Sequence, residues 1–173
     1  MENKYQKCEK IGRKYTKKLC EQYNWEYSFV DDNNFSVYDS FVKAGGKNCM
    51  VEIKVRKKEW PDYILEDLKL RELEDAVKKT SEKIDKVLYF VWISDKICYV
   101  FNLGDVVDGK LIRNENLPLK DEDKRIDKNF NAHTVESTEH KIPKWVYYLL
   151  PNDAIKYEKQ TYGLYKKIGV KEV

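Results

Sequence analysis

The sequence predicts a single-domain α/β fold, and three observations support this prediction. Helical and strand patterns follow one another in the order helix, three strands, helix, two strands. The run KVLYFVWI is almost entirely apolar, as expected of a strand covered on both faces. The 173 residues, 42% of them apolar, suffice to build one hydrophobic core. No linker divides the chain, so we expect one domain over 1–173, with a core at about 4–103 and a C-terminal elaboration at about 104–173.

The first predicted helix runs from Lys4 to Tyr23. Apolar side chains recur in it at steps of three and four residues, while lysines occupy most of the outer face. The predicted apolar stripe consists of Cys8, Ile11, Tyr15, Leu19 and Tyr23. A short aromatic-rich strand, Trp25 to Val30, follows and ends at the turn-forming sequence DDNN.

The next two strands flank Gly45-Gly46, a pair typical of a two-residue hairpin because both central positions of a type I′ turn need positive φ. Counting outward from the two glycines places Asp39 directly opposite Glu52. Side chains alternate along a strand, so Lys54 projects from the same face as Glu52. The glycines therefore determine this register, and the matching of charges does not enter.

A second helix is predicted to begin near Pro61 and to continue to about Lys79. Its expected buried residues are Leu65, Leu68, Leu73, Ala76 and Val77. KVLYFVWI and ICYVFNL then form two strands across a short turn around Ser94 and Asp95.

The pattern beyond Gly104 predicts less regular structure. NENLPLKDEDKRIDKN indicates a long polar loop, and WVYYLL, residues 145–150, indicates a late strand closed by Pro151. The lysine-rich tail after Tyr162 is predicted to be loose.

Composition restricts the class of protein. No apolar run approaches the roughly 20 residues of a membrane span, and the polar N-terminus is unlike a signal peptide, so we expect a soluble, cytoplasmic protein with no membrane partner. A formal charge of +3 permits a nucleic-acid partner without requiring one. Four scattered cysteines, Cys8, Cys20, Cys49 and Cys98, contain no Cys-x-x-Cys pair and are interpreted as reduced apolar side chains. His133 and His140 are too isolated to indicate a histidine site.

The opposed carboxylates, Asp39 and Glu52, indicate a chemical function. Like charges opposed on a sheet are destabilising and raise at least one pKa. A divalent cation removes the conflict, and oxygen ligands favour Mg²⁺, with Mn²⁺ as a substitute. The Lys54 ammonium can then hold the attacking water and balance charge developing on phosphorus, which predicts phosphodiester hydrolysis. The alternative is a solvated hairpin face on which Lys54 forms an ordinary cross-strand ion pair.

Asp39 in VYDSF and Glu52-Ile53-Lys54 in VEIKV, with a helix on either side, resemble the PD-(D/E)XK nuclease superfamily. The resemblance covers about residues 8–103 and implies a restriction-endonuclease-like α-β-β-β-α-β core, a mixed central sheet flanked by helices. It also implies DNA as substrate, a lysine that positions water, and Mg²⁺ held by Asp39 and Glu52, with Ile53 between Glu52 and Lys54 as a further candidate at the metal. Tyr38 replaces the name-giving proline, and the chain after residue 104 matches nothing assignable.

Further residues are candidates through this resemblance or through their position. Many members carry a glutamate on the first helix; Glu9 is the candidate and Glu21 the alternative, although either is also compatible with a surface ion pair. The predicted DNA-binding residues are Arg56, Lys57 and Lys58 after the Glu-x-Lys strand, and Lys14 and Lys17 on the first helix. Such basic runs are also typical of a solvated surface.

The sequence thus favours a Mg²⁺-dependent deoxyribonuclease, with endonuclease preferred to exonuclease and a homodimer allowed. The alternative is an inactive module of the same fold that binds nucleic acid or a protein. A hydrolase or transferase of small phosphorylated substrates is least favoured, because the sequence lacks a Gly-x-x-x-x-Gly-Lys loop.

Overall fold

The computed structural model describes residues 4–30, 36–131 and 141–168, in which two helices and eleven strands form one α/β domain. In chain order these are α1 (Lys4–Gln22), β1 (Glu26–Phe29), β2 (Ser40–Ala44), β3 (Lys47–Arg56), β4 (Tyr63–Glu66), α2 (Asp67–Lys79), β5 (Lys86–Ile93), β6 (Ile97–Val107), β7 (Lys110–Arg113), β8 (Arg125–Asn131), β9 (Lys141–Leu149), β10 (Ile155–Lys159) and β11 (Tyr165–Ile168). The predicted α/β class is confirmed. The DDNN turn, His133 and His140 lie outside the described residues.

The main sheet is mixed. Its strand order is β1-β2-β3-β5-β6-β10-β11, and β7 pairs separately with β6. β3 and β5 are parallel, whereas the other neighbours in the main sheet are antiparallel. Parallel neighbours need a crossover connection, and α2 lies within it. A second, antiparallel sheet has the order β4-β9-β8.

Helix α1 packs on one face of β3, but the buried stripe differs from the predicted one. Cys8 and Ile11 are exposed, whereas Gly12 and Thr16 are buried. A Cβ at Gly12 would lie only 2.8 Å from Ile53 Cγ2. Glycine therefore allows a close helix–strand contact that rotates the buried stripe away from Cys8 and Ile11, an effect that an apolar-periodicity count does not detect.

Helix α2 begins later than predicted, because Tyr63–Glu66 forms β4 and pairs with β9. Leu65 is buried as a strand residue and therefore does not set the helical face. Leu68, predicted to be buried, is 65% exposed, and the buried residues of the helix are Leu70, Leu73 and Val77. Pairing with a strand about eighty residues away overrode the local helical signal.

The C-terminal part is more regular than predicted. The predicted late strand is confirmed as β9, but the polar segment before it contains β8, and the tail predicted to be loose contains β11. Tyr165 in β11 is 4% exposed and its hydroxyl donates to the Asp95 carbonyl. This contact and the pairing of β10 with β6 attach the tail to the main sheet.

The remaining compositional expectations concern membranes and cysteines. Neither described helix combines the length and apolar character of a membrane-spanning segment. Cys20, Cys49 and Cys98 are buried free thiols, whereas Cys8 is exposed. Burial raises the pKa of Cys20 to about 12, so this thiol stays protonated at neutral pH.

Candidate functional site

The hairpin of β2 and β3 has the register that the two glycines predict. Gly45 and Gly46 adopt φ values of 57° and 76°, and Ser40 faces Val51. The Asp39 amide, one residue further out, donates to the Val51 carbonyl over 2.9 Å. Counting one position beyond the Ser40–Val51 pair then places Asp39 opposite Glu52, as predicted.

The Asp39 carboxylate lies against the backbone of β3, on the side that faces β2. β2 begins at the next residue, and Asp39 Oδ2 accepts a hydrogen bond of 2.7 Å from the Ile53 amide. Glu52 is only 7% exposed, and its carboxyl group lies within hydrogen-bonding reach of the Asp39 side chain. Two acidic groups therefore meet in a nearly buried position.

The environment of this pair favours neutral acids. Burial, followed by the negative charge of Asp39, raises the pKa of the Glu52 carboxyl to about 8. Burial also raises the pKa of Asp39, although the hydrogen bond from Ile53 opposes this. The charges of Lys54 and Lys69 lower both pKa values. The pair consequently holds a proton at neutral pH, unless a divalent cation binds and adds more positive charge than Lys54 and Lys69 supply.

Lys69 on α2 is a site residue that sequence reasoning missed. Its Nζ lies 3.8 Å from Glu52 Oε1, 3.4 Å from Glu72 Oε2 and 3.0 Å from the Val37 carbonyl, to which it donates a hydrogen bond. The sequence shows only a lysine on the polar side of a helix. No local signal identifies it, because its position depends on how α2 crosses the sheet.

A cavity of about 180 Å³ adjoins the acidic pair on the α2 side of the sheet. Glu52, Lys54 and Arg56 line it from alternate positions of β3, and Lys69 lines it from α2. Tyr89 on β5, which pairs with Glu52 on the neighbouring β3, also borders the cavity. The structure therefore brings together the predicted residues Asp39, Glu52, Ile53 and Lys54, with Arg56 beside them.

The other candidates on the first helix lie elsewhere. α1 packs against the face of β3 that carries Ile53, whereas Glu52 and Lys54 project from the opposite face. Glu9, Lys14 and Lys17 are exposed and do not line the cavity. Glu21 faces Lys17 at 3.8 Å and accepts a hydrogen bond from Tyr27.

Arg13 on α1 acts on Asp39. Its positive charge lowers the pKa of Asp39, and its guanidinium donates to the Val30 carbonyl over 2.8 Å. Arg13 also lies over the Phe29 ring. The helix therefore contributes positive charge near Asp39, where the family resemblance suggested a carboxylate.

The donor set of the cavity is compatible with a divalent cation that keeps most of its water. Within residues 4–30, 36–131 and 141–168, no group of three or more His, Cys, Asp or Glu side chains is placed to hold a metal ion. Asp39 and Glu52 offer two carboxylates, which is the number that Mg²⁺ often takes from protein when waters and phosphate oxygens supply the rest.

Comparisons with protein-family models and with curated proteins found no match for this chain.

Proposed function

We propose that this protein is a Mg²⁺-dependent nuclease that hydrolyses phosphodiester bonds of DNA. The observation that carries the proposal is the buried Asp39–Glu52 pair, set by the hairpin register, with Lys54 lining the same cavity as Glu52. A pair of buried acids with raised pKa values lowers the stability of the metal-free protein. A cation site is a functional reason for such an arrangement, because a bound cation offsets the two negative charges.

Each residue has a distinct role in the proposed reaction. Asp39 and Glu52 hold the cation, which when bound neutralises charge on the phosphate. The hydrogen bond from the Ile53 amide fixes the Asp39 carboxylate. Lys54 holds the attacking water and offsets charge in the transition state. Lys69 keeps positive charge at Glu52 and connects α2 to the segment before Asp39.

DNA is the proposed substrate because positive charge continues from the cavity along β3. Arg56 lines the cavity, and Lys57 and Lys58 are exposed directly after the strand ends. Phosphate contacts of this kind supply affinity that is independent of sequence.

The test is cleavage by wild-type protein and by Lys54→Ala, measured on supercoiled, linear, single-stranded and branched DNA with Mg²⁺, Mn²⁺ or EDTA. We expect metal-dependent cleavage by the wild type and a loss of about a hundredfold or more in Lys54→Ala, because one preorganised charge is removed from the transition state. Binding of DNA and of metal should be largely retained.

Lys43→Ala is the matched control. Lys43 lies on β2 of the same hairpin and forms an exposed cross-strand ion pair with Glu26 at 3.1 Å, which is the ordinary role that Lys54 would otherwise have. Cleavage by this variant should equal that of the wild type. Full activity in Lys54→Ala would contradict the assigned role.

An inactive binding module is the second candidate, and one contact favours it. Lys69 already places a positive charge 3.8 Å from Glu52, so a cation of the protein's own partly compensates the pair. Wild-type protein that binds DNA but cleaves no form of it with either metal would support this candidate.

A further inference from the structure

The segment after β3 crosses the end of the main sheet and is anchored at two points. The Arg56 carbonyl accepts a hydrogen bond of 3.3 Å from the Ser94 amide, in the turn between β5 and β6. The Glu59 carboxylate accepts a hydrogen bond from the Tyr99 hydroxyl on β6. Residues 57–60 therefore have a fixed position relative to the cavity that Arg56 lines.

Trp60 ends this segment with a large apolar ring in contact with water. Its side chain is 50% exposed, and the Lys58 ammonium lies 4.2 Å from the centre of the ring. In contrast, the Trp25 and Trp92 rings pack against tyrosines. Tryptophan is enriched at binding surfaces, because its ring offers a large apolar face and its N–H a hydrogen-bond donor.

Positive charge leads from the acidic pair to this ring. Lys54 and Arg56 project from β3 into the cavity beside Glu52, and Lys57 and Lys58 are exposed beyond it. The intervening acid, Glu59, accepts a hydrogen bond from the Tyr99 hydroxyl on β6. A cationic path that ends at an exposed aromatic ring matches a nucleic-acid strand, in which phosphates alternate with flat bases.

We propose that residues 56–60 bind an unpaired stretch of DNA, with the phosphates along Arg56, Lys57 and Lys58 and one base stacked on Trp60. An unpaired base can offer its face to the indole, whereas bases inside a duplex are stacked on one another and cannot. This inference rests on the proposed nuclease function and makes its substrate a single strand or an unpaired end or junction.

The test is equilibrium binding, measured by fluorescence anisotropy in EDTA so that no cleavage occurs. The probes are a labelled oligothymidylate and a labelled duplex of the same length. We expect Trp60→Ala to weaken oligothymidylate binding about tenfold or more, as loss of one stacking ring does, and to change duplex binding little. Trp60→Tyr should restore most of the affinity, because it retains a ring.

Trp145→Ala is the matched control, since Trp145 is 54% exposed but lies on β9, outside this segment. It should bind both probes as the wild type does. Equal affinity of Trp60→Ala and the wild type for oligothymidylate, or equal losses on both probes, would overturn the stacking role even if the wild type cleaves DNA. Wild-type protein that binds neither probe would overturn this inference together with the proposed DNA substrate.

Discussion

At the scale of single residues, the central feature is one buried acid placed against another. Glu52 is 7% exposed, and Asp39 faces it from the neighbouring strand. Lys54 and Lys69 supply partial compensation. An apolar residue at position 52 would stabilise this part of the sheet, because no desolvation of a charge would be needed. We therefore interpret the pair as a functional site that reduces stability.

Glu52→Gln should stabilise the metal-free protein at alkaline pH. The pKa of Glu52 is raised in the native state, so the native protein holds more protons than the unfolded chain between the ordinary carboxyl pKa and about 8. Stability of the wild type should fall as pH rises through this window, whereas Glu52→Gln lacks the fall. We expect the variant to gain on the order of 1–3 kcal/mol above pH 8, measured by urea unfolding in EDTA.

The matched control is Glu72→Gln, because Glu72 also faces Lys69, at 3.4 Å, but its side chain is 41% exposed. Its stability should follow the wild type across the same pH range. A Glu52→Gln variant less stable than wild type at pH 8–9 would indicate that the lysines fully compensate an ionised pair.

At the scale of elements, β3 serves two layers at once. Its odd-numbered residues, such as Ile53 and Val55, contact α1, while Glu52 and Lys54 face the cavity. The close approach of α1 depends on Gly12, since a Cβ there would lie 2.8 Å from Ile53 and 3.1 Å from Val55. The helix thereby supports the strand from behind, opposite the acidic pair.

Gly12→Ala should destabilise the protein despite the better helix propensity of alanine. Propensity favours the variant by about 1 kcal/mol, but overpacking against β3 costs roughly 1–3 kcal/mol. We expect a net loss on the order of 1 kcal/mol in urea unfolding. Lys14→Ala, at an exposed position of the same helix, should change stability little. A Gly12→Ala protein at least as stable as the wild type would show that the helix–strand contact yields without cost.

At the scale of the whole molecule, features with a local cause were predictable. Gly45 and Gly46 define the hairpin register, and the continuous apolar run identifies β5. Features that depend on distant contacts were not. β4 exists because it pairs with β9, and Lys69 reaches Glu52 because α2 follows β4. β11 lies in a lysine-rich tail that resembles a loose end in sequence. Only the packing of Tyr165 on the sheet distinguishes it.

The whole-molecule consequence of the proposed site is that metal binding and stability are linked. A cation that binds the native state alone raises the melting temperature, and the rise grows with the logarithm of the free cation concentration above its dissociation constant. Asp39→Asn keeps an oxygen that can accept the hydrogen bond from Ile53, so it removes charge from the site with little disturbance of the hairpin.

Calorimetric titration of Mn²⁺ into wild-type protein, Asp39→Asn, Glu52→Gln and the control Glu72→Gln tests the central claim most directly. If Asp39 and Glu52 share one cation, the wild type and Glu72→Gln should bind it with the same affinity and show a raised melting temperature. Each of the other two variants should bind at least about tenfold more weakly, because one of two anionic ligands is lost. Unchanged affinity in both variants, or a wild type that binds no Mn²⁺, would contradict the claim.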